Sequence, residues 1–345
     1  MLSGKELILA TKPFAQEIRW KSWLYTISSL VLLIASIAGV FLLPILLGKI
    51  FCSLFAACML ARFFMMFHDF QHHTILHKSK LANFIFTVYG AYMITPPSIW
   101  KRSHDHHHKN NAKLFSASIG SYPIMTRQKF ETCAPKERFA YLATRHPLNM
   151  VFAYFTMFLY GMCLQSFIAN PRKHLDSLAI FLLHIGIAAV IFIKFGWLIW
   201  FLAFFLPFFL SHMLGGYLFY AQHNFPEAVF RSNQDWNYSL AALESSSYLQ
   251  MSTFMNWVTA NIGYHHIHHL NARIPFYRLP ETMAAIPELQ TSKTTTFRIK
   301  DIIACLRLKV WDPELNKMVG FREMRATPYI ASPIPVPAME MVHHD

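Results

Sequence analysis

Residues 50–73 read IFCSLFAACMLARFFMMFHDFQHH: an apolar run with a single charge, Arg62, passes without a break into a histidine-rich box. A helix needs roughly 20 apolar residues to cross a bilayer, and this run comes close to that length before the first imidazole appears. His68, His72 and His73 therefore emerge where the helix leaves the hydrocarbon. Neutral imidazole is the commonest protein ligand for redox metals, so the junction predicts a membrane helix that delivers metal ligands at its end.

Two further boxes have the same character, WKRSHDHHH at 100–108 and NIGYHHIHH at 261–269. Residues three and four apart share a helix face, so His104, His107 and His108 are expected to aim at one point, as are His265, His268 and His269. In the first box His68 and His72 are one turn apart and His73 is turned aside, which suits two metals; His68 and His73 are taken ahead of His72. His223, in YAQHNF after the last long apolar run, is a tenth candidate. Such a set exceeds what one metal needs, and it offers nitrogen without thiolate, so two irons fit better than copper(I), an iron–sulfur cluster or four-coordinate structural zinc. Asp69, Asp105, Glu227, Asp235 and Glu244 are expected to orient imidazoles rather than bind metal. His184 and His212, alone in apolar runs, read as satisfied core residues. His77, His106 and His266 break the spacing and read as supporting or surface groups, and His343 and His344 as solvated.

Of 345 residues, 54% are hydrophobic and only 14% charged, against about 25% charged in soluble domains. The chain reads as an all-α integral membrane protein of one domain, 1–345, because boxes spread from 68 to 269 must converge. The net charge of +13 is spread between apolar segments rather than along a face interleaved with aromatics, which argues against nucleic acid and for basic residues held on the cytoplasmic side. Cys52, Cys58, Cys133, Cys163 and Cys305 are scattered, with neither a disulfide framework nor a CxxC site. The basic N-terminal segment, Lys5 to Lys21, precedes an apolar run without a small-residue cleavage site, so no removed signal peptide is expected.

Apolar runs at about 23–43 and 50–67, separated by Pro44, Gly48 and Lys49, predict one transmembrane hairpin; runs at about 177–193 and 197–221, around Lys194–Gly196, predict a second. All three boxes must then face the cytoplasm. Leu81–Trp100, broken by Thr95, Pro96 and Pro97, is expected to be re-entrant or interfacial, since a crossing there would part the first two boxes by about 30 Å of hydrocarbon. Parity likewise places Pro147–Ile168 along the interface. Residues from about 226 to 325 read as a cytosolic helical cap over the di-metal site, and 327–345 as an extended Pro-rich tail.

Taken together, HxxxHH in HDFQHH, HxxHH after Trp100 and Ser103, and HxxHH followed by a Pro and Tyr-x-Leu in NIGYHHIHHLNARIPFYRL resemble the membrane fatty acid desaturases, particularly the bacterial and plastid acyl-lipid enzymes of the Δ12 (omega-6) type. The resemblance covers roughly residues 20–290. It implies a four-helix bundle with a cytosolic cap in a bacterial inner membrane, a di-iron centre, and use of O2 and two electrons to place a cis double bond in an acyl lipid. Carried over by position, the family's ligands fall on His68, His73, His104, His107, His108, His223, His265, His268 and His269, with His72 the additional histidine of the HxxxHH variant. Where some acyl-CoA members have Asn one turn before the lone histidine, this chain has Phe219. An unactivated methylene has no acidic proton, so a metal–oxygen oxidant is required and the protein supplies position and exclusion of water. No haem or ferredoxin-type motif occurs, so electrons must come from outside, from ferredoxin or a cytochrome b5-type carrier. The basic residues Arg298, Lys300, Arg307, Lys309, Arg322 and Arg325 could steer an acidic carrier or touch lipid headgroups. Trp100, Tyr264 and Trp257 are candidates to line an acyl tunnel. The nearest rival is a carotenoid or lipid hydroxylase or ketolase of the same superfamily; a metal transporter would need its ligands within the spans.

Overall fold

The computed structural model describes residues 2–114 and 120–326, and these are mostly helical. The Pro-rich tail expected at 327–345 lies outside the described residues.

Helix α1 (Arg19–Leu42) and helix α2 (Leu46–Gln71) form a hairpin around Pro44. The buried face of α1 is Ser22, Thr26, Ser29, Leu33, Ser36 and Val40, whose alternating spacing of four and three is the narrow seam of helices packed side by side. Small residues dominate it because apolar side chains gain little from meeting one another in lipid, whereas close backbone approach adds contact. At Gly39 the approach is closest: a Cβ there would lie 2.5 Å from Cys52 Sγ. Lys49 closes the turn by donating to the Val40 carbonyl at 2.7 Å, one of the helix-end carbonyls that have no intrahelical partner. The opposite face of α1, with Trp20, Leu24, Val31 and Ile34, is exposed and apolar.

The run Leu175–Ala221 has 47 residues and as one straight rod would be about 70 Å long. It is doubled instead. Gly196 has φ +79°, in the region that costs glycine least, and reverses the chain inside the expected Lys194–Gly196 turn. The imidazole of His184 packs 4.7 Å from Phe204 and 4.9 Å from Phe208, residues that a straight helix would hold about 30 Å away. Among the described residues three helices are long and apolar enough to cross a membrane, α1, α2 and this folded run.

Both stretches set aside in the sequence fall short of a span. Helix α3 (Lys80–Tyr92) is capped at its start by Ser79, whose side chain accepts from Ala82 N, and it ends before Pro96 and Pro97. Helix α4 (Trp100–Asn110) then carries the second box. Pro147–Val151 leads into a π-helical stretch, Tyr154–Gln165. This arm dips beside the folded run, where the Tyr154 hydroxyl lies 2.6 Å from His184 Nε2.

The cap is not purely helical, contrary to expectation. β1 (Tyr248–Gln250) pairs in parallel with β2 (Thr294–Thr296), and β3 (Val310–Asp312) pairs antiparallel with β4 (Lys317–Val319). The β-branched run Thr294–Thr296 favours extended backbone, and Asn316 at φ +47° turns the second pair. Arg62, buried in α2, ties the cap to the membrane hairpin: it donates to Ser29 Oγ at 3.0 Å and to the Trp257 carbonyl, with its guanidinium 4.6 Å from the centre of the Trp257 ring.

Candidate metal centre

Nine of the ten candidate histidines converge, in two adjacent groups: His68, His72, His104, His108 and His268 in one, and His107, His223, His265 and His269 in the other. Within each group the ligand atoms all lie within 4.8 Å of one another. The groups touch where His108 stacks on His269 at 4.3 Å and 18°.

His73 is the exception, and its expected precedence over His72 is reversed in placement. Helix α2 ends at Gln71 with His72 as its cap, so His72 keeps the face of His68. His73 has φ +58°, which swings the chain out of the helix, and its ring faces His77 at 4.8 Å in an exposed position.

The HxxHH boxes do not each aim at one point either. His104 and His108 enter the first group and His107 the second; His265 and His269 enter the second and His268 the first. At about 100° per residue, the residue at i+3 lies roughly 60° to one side of residue i and the one at i+4 roughly 40° to the other. Each box thus straddles two targets, giving two imidazoles to one and one to the other.

The chemistry of the donor set fits a cation. In the second group the Nε2 atoms form a closed ring of contacts: His107–His223 3.1 Å, His223–His265 2.9 Å, His265–His269 3.1 Å and His269–His107 3.2 Å. Each such nitrogen is either a donor or an acceptor, so four neutral imidazoles cannot fill four linear bonds among themselves. His223 donates through Nδ1 to the Ser245 carbonyl at 3.0 Å, which leaves its Nε2 as a bare lone pair pointing inward. Among the described residues, the Nδ1 atoms of His108, His265 and His269 have no hydrogen-bond partner. A cation between the Nε2 atoms satisfies all four lone pairs at once. Burial, reinforced by neighbouring imidazoles, pushes His104, His107, His108, His265, His268 and His269 well below their ordinary pKa, and burial brings His223 down to about 4. These rings are neutral near pH 7, the form that binds metal.

Only one of the five expected carboxylates touches a converging histidine. Asp69 Oδ1 lies 3.4 Å from His68 Nδ1, while Oδ2 accepts the Phe276 backbone N–H at 2.8 Å. Asp105 pairs with Lys101, Glu227 with Lys293, Glu244 with Arg231, and Asp235 accepts from Ser232. His266 donates to the Leu289 carbonyl, and His212 shares a 2.7 Å contact with the Phe208 carbonyl. Two neighbours add shape: Trp100 stacks on His104 at 4.9 Å, one turn away on α4, and Phe219 lies 5.2 Å from His107. The Trp100 contact is legible from its i, i+4 spacing; the Ser245 carbonyl carries no sequence signal.

A cavity of about 1530 Å³ reaches the centre at His68, His104 and His265, larger than the roughly 300–1,000 Å³ of ordinary ligand pockets. Trp100 lines it, as expected. Tyr264 packs on Tyr248 and Trp257 on Arg62 instead, away from its wall. Among the basic residues expected to meet a carrier, Lys309 turns inward to the Leu306 carbonyl at 2.8 Å, and burial draws its ammonium down to about 8.

The family model for fatty acid desaturases matches residues 44–299, a range that holds both histidine groups. The chain belongs to the fatty acid desaturase family. Among its relatives, a fatty acid desaturase of Bacillus subtilis (strain 168) is 29% identical over 293 residues, 81% of this chain and 80% of that protein. The sn-1 oleoyl-lipid 12-desaturase of Synechocystis is 26% identical over 226 residues, 63% and 62% of the two chains. The chloroplastic omega-6 fatty acid desaturase of Glycine max is 23% identical over 274 residues, 78% of this chain and 62% of that one. Like other fatty acid desaturases, this protein is an oxidoreductase, and its site is a histidine cluster suited to metal beside membrane-length helices.

Proposed function

We propose that this desaturase is a di-iron, O2-dependent enzyme that introduces a cis double bond into the acyl chain of a membrane lipid, with Δ12 or omega-6-like selectivity. One observation carries the reading: two adjacent groups made only of imidazoles, five and four, sit at the inner end of a large cavity. His68, His72, His104, His108 and His268 would hold one iron, and His107, His223, His265 and His269 the other. When bound, the irons supply an oxidant made from O2 that removes hydrogen from an unactivated methylene. The chain itself does the rest. Buried, neutral rings present lone pairs, Asp69 orients His68, and the cavity wall seats the acyl chain and keeps water away from the reacting carbons. Two hydrogens leave the acyl chain, O2 becomes two waters, and two electrons and two protons from outside complete the balance. The electrons come from a separate ferredoxin or cytochrome b5-type carrier, because the five cysteines are free and scattered.

The folded run supports four passes rather than three, with 175–195 and 197–221 as separate limbs. One domain, 1–345, would then sit as a multi-pass protein in a bacterial inner membrane, with the centre and the basic cap on the cytoplasmic side. The Δ12 assignment rests on the names of the Synechocystis and Glycine max relatives.

Expression in a host of known lipid composition tests this, with wild type beside His104→Ala and His268→Ala, read by fatty acid and carotenoid profiling and by iron content of the purified protein. New dienoic acids and about two irons per chain are expected from wild type only. Hydroxylated lipids or oxygenated carotenoids with unchanged acyl chains overturn the desaturase reaction. A single metal per intact chain overturns the paired centre.

A further inference from the structure

The cavity that ends at the histidines has an outer end, and its residues are not those of a mouth facing water. Among the described residues that line it there is no Lys, Arg, Asp or Glu. A thioester of coenzyme A, or an acyl group on a carrier protein, would arrive from water at a mouth whose Arg and Lys meet its phosphates, whereas a membrane lipid keeps its phosphate in the hydrated headgroup layer and needs no such group in this wall. Leu148, Phe152, Phe155 and Tyr160 line the cavity and yet are 56%, 43%, 40% and 56% exposed, so they form its edge. Residues 148, 152 and 155 fall on one helical stripe. That stripe packs on the second limb of the folded run, Phe152 5.8 Å from Phe209 and Phe155 6.1 Å from Phe205. Phe205 precedes the helix end at Ala221 by 16 residues, about 24 Å along the axis. The edge therefore opens at a level where spanning helices are surrounded by lipid tails. Thr144, His146 and Asn149, polar and uncharged or weakly basic, line the same cavity where the arm begins.

We infer that a diacyl lipid enters this cavity sideways from the bilayer, through the edge framed by Leu148, Phe152, Phe155 and Tyr160, one acyl chain reaching the histidines while its ester and headgroup stay beside Thr144, His146 and Asn149. The inference rests on the desaturase reading above and adds the route by which the chain arrives. The occupant is matched by continuity, a mostly apolar lining without Lys, Arg, Asp or Glu among the described residues that joins an exposed apolar edge to the metal ligands.

The first test reads binding, not turnover. The full chain is reconstituted in vesicles containing phosphatidylglycerol with a diazirine in mid-chain, irradiated, and the labelled peptides mapped. Label is expected on 148–160 and, deeper, on the cavity residues Met65 or Ile262; label confined to the outer faces of α1 and 175–195 overturns the route. Phe152→Glu is expected to cut the inner label several-fold, about what one charge at lipid depth imposes, with iron content unchanged, whereas Leu183→Glu, at a residue more exposed than Phe152 and outside the cavity, leaves it intact. The second test supplies the iron-loaded, reduced protein in diphytanoyl vesicles with oleate, either as phosphatidylglycerol in the bilayer or as a coenzyme A thioester in water. Turnover of the lipid is expected to exceed that of the thioester at least about tenfold. Thioester turnover alone overturns lateral entry and leaves the desaturase reading standing; turnover of neither counts against that reading itself.

Discussion

The five-imidazole and four-imidazole groups share the second and third boxes but meet their surroundings differently. In the first, His72 and His104 are only half-buried; in the second, all four rings are buried. The first stands where α2 ends and α4 passes the surface beside the Lys101–Asp105 pair. The second closes only when α4, the end of the folded run and the third box all meet, with the Ser245 carbonyl holding His223 in place. The difference teaches that the two groups are unequal in exposure: the outer one is partly open at His72 and His104, while the inner one is closed by the fold.

The largest effect is expected from breaking the inner group. His265→Ala or His269→Ala should abolish turnover and lower iron at both positions, because each imidazole packs against the other group's rings. His72→Ala should instead reduce iron toward one per chain and leave the inner metal. His73→Ala should keep turnover within about twofold, as for surface substitutions worth about 0.5 kcal/mol. Iron analysis with turnover on the same preparations checks all three, and a His73 variant as damaging as His72→Ala removes the distinction between them.

Next comes Asp69→Asn, which keeps an acceptor for the Phe276 N–H but loses one carboxyl oxygen beside His68. Loss of a carboxylate that orients a ligand typically costs about 10–100-fold in metal affinity or activity, and here the loss should fall on the outer group. Competition with a chelator would show one metal weakened and the other unchanged; equal weakening of both would contradict the two-group picture.

A smaller effect is expected at the clamp. Arg62→Met removes the guanidinium hydrogen bonds to Ser29 Oγ and to the Trp257 carbonyl, which still accepts the Ala260 N–H at 3.3 Å; the loss is expected to cost about 1–3 kcal/mol and to loosen the segment leading into the third box. Thermal unfolding in detergent and protease sensitivity around 251–264 are the measurements. Arg62→Lys, which keeps a donor, should recover part of the stability.

The smallest effect is a matter of sign. Burial lowers His223 and His266 from the ordinary 6.5 to about 4 in the folded state, so the unfolded chain takes up protons first as pH falls. Iron-free protein should keep full stability above about pH 6.5 and lose it as pH drops from there toward 4. Melting measured at pH 7.5 and 5.5 checks this. A flat profile would mean the inner rings are open to water.

Much of this architecture is written in local pattern. The apolar run that ends at His68 and the break at Pro96–Pro97 are properties of short stretches, as is the reversal at Gly196, so residues 50–73, 81–100 and 177–221 can be read one at a time. His184 and His212 are legible as interior residues for the same reason. Less legible was the partition of the boxes. Spacing shows that His104, His107 and His108 lie near one another on a helix, but not that two of them serve one target and the third another, because that depends on where α2, α4 and the third box stand in space. His72 and His73 differ by a backbone reversal at one residue, which spacing alone does not reveal.

By itself, then, the amino-acid order determined the kinds of ligand, their helical supports and the lengths of apolar chain between them, since these follow from side-chain chemistry and the 3.6-residue turn. Tertiary structure alone decided which imidazoles meet, that His73 is left outside, that Ser245 fixes the tautomer of His223, and that a cavity with no Lys, Arg, Asp or Glu among its described lining runs to the centre. Those features arise from contacts between residues as far apart as His107 and His269, and no local pattern encodes the distance between two nitrogens on separate helices.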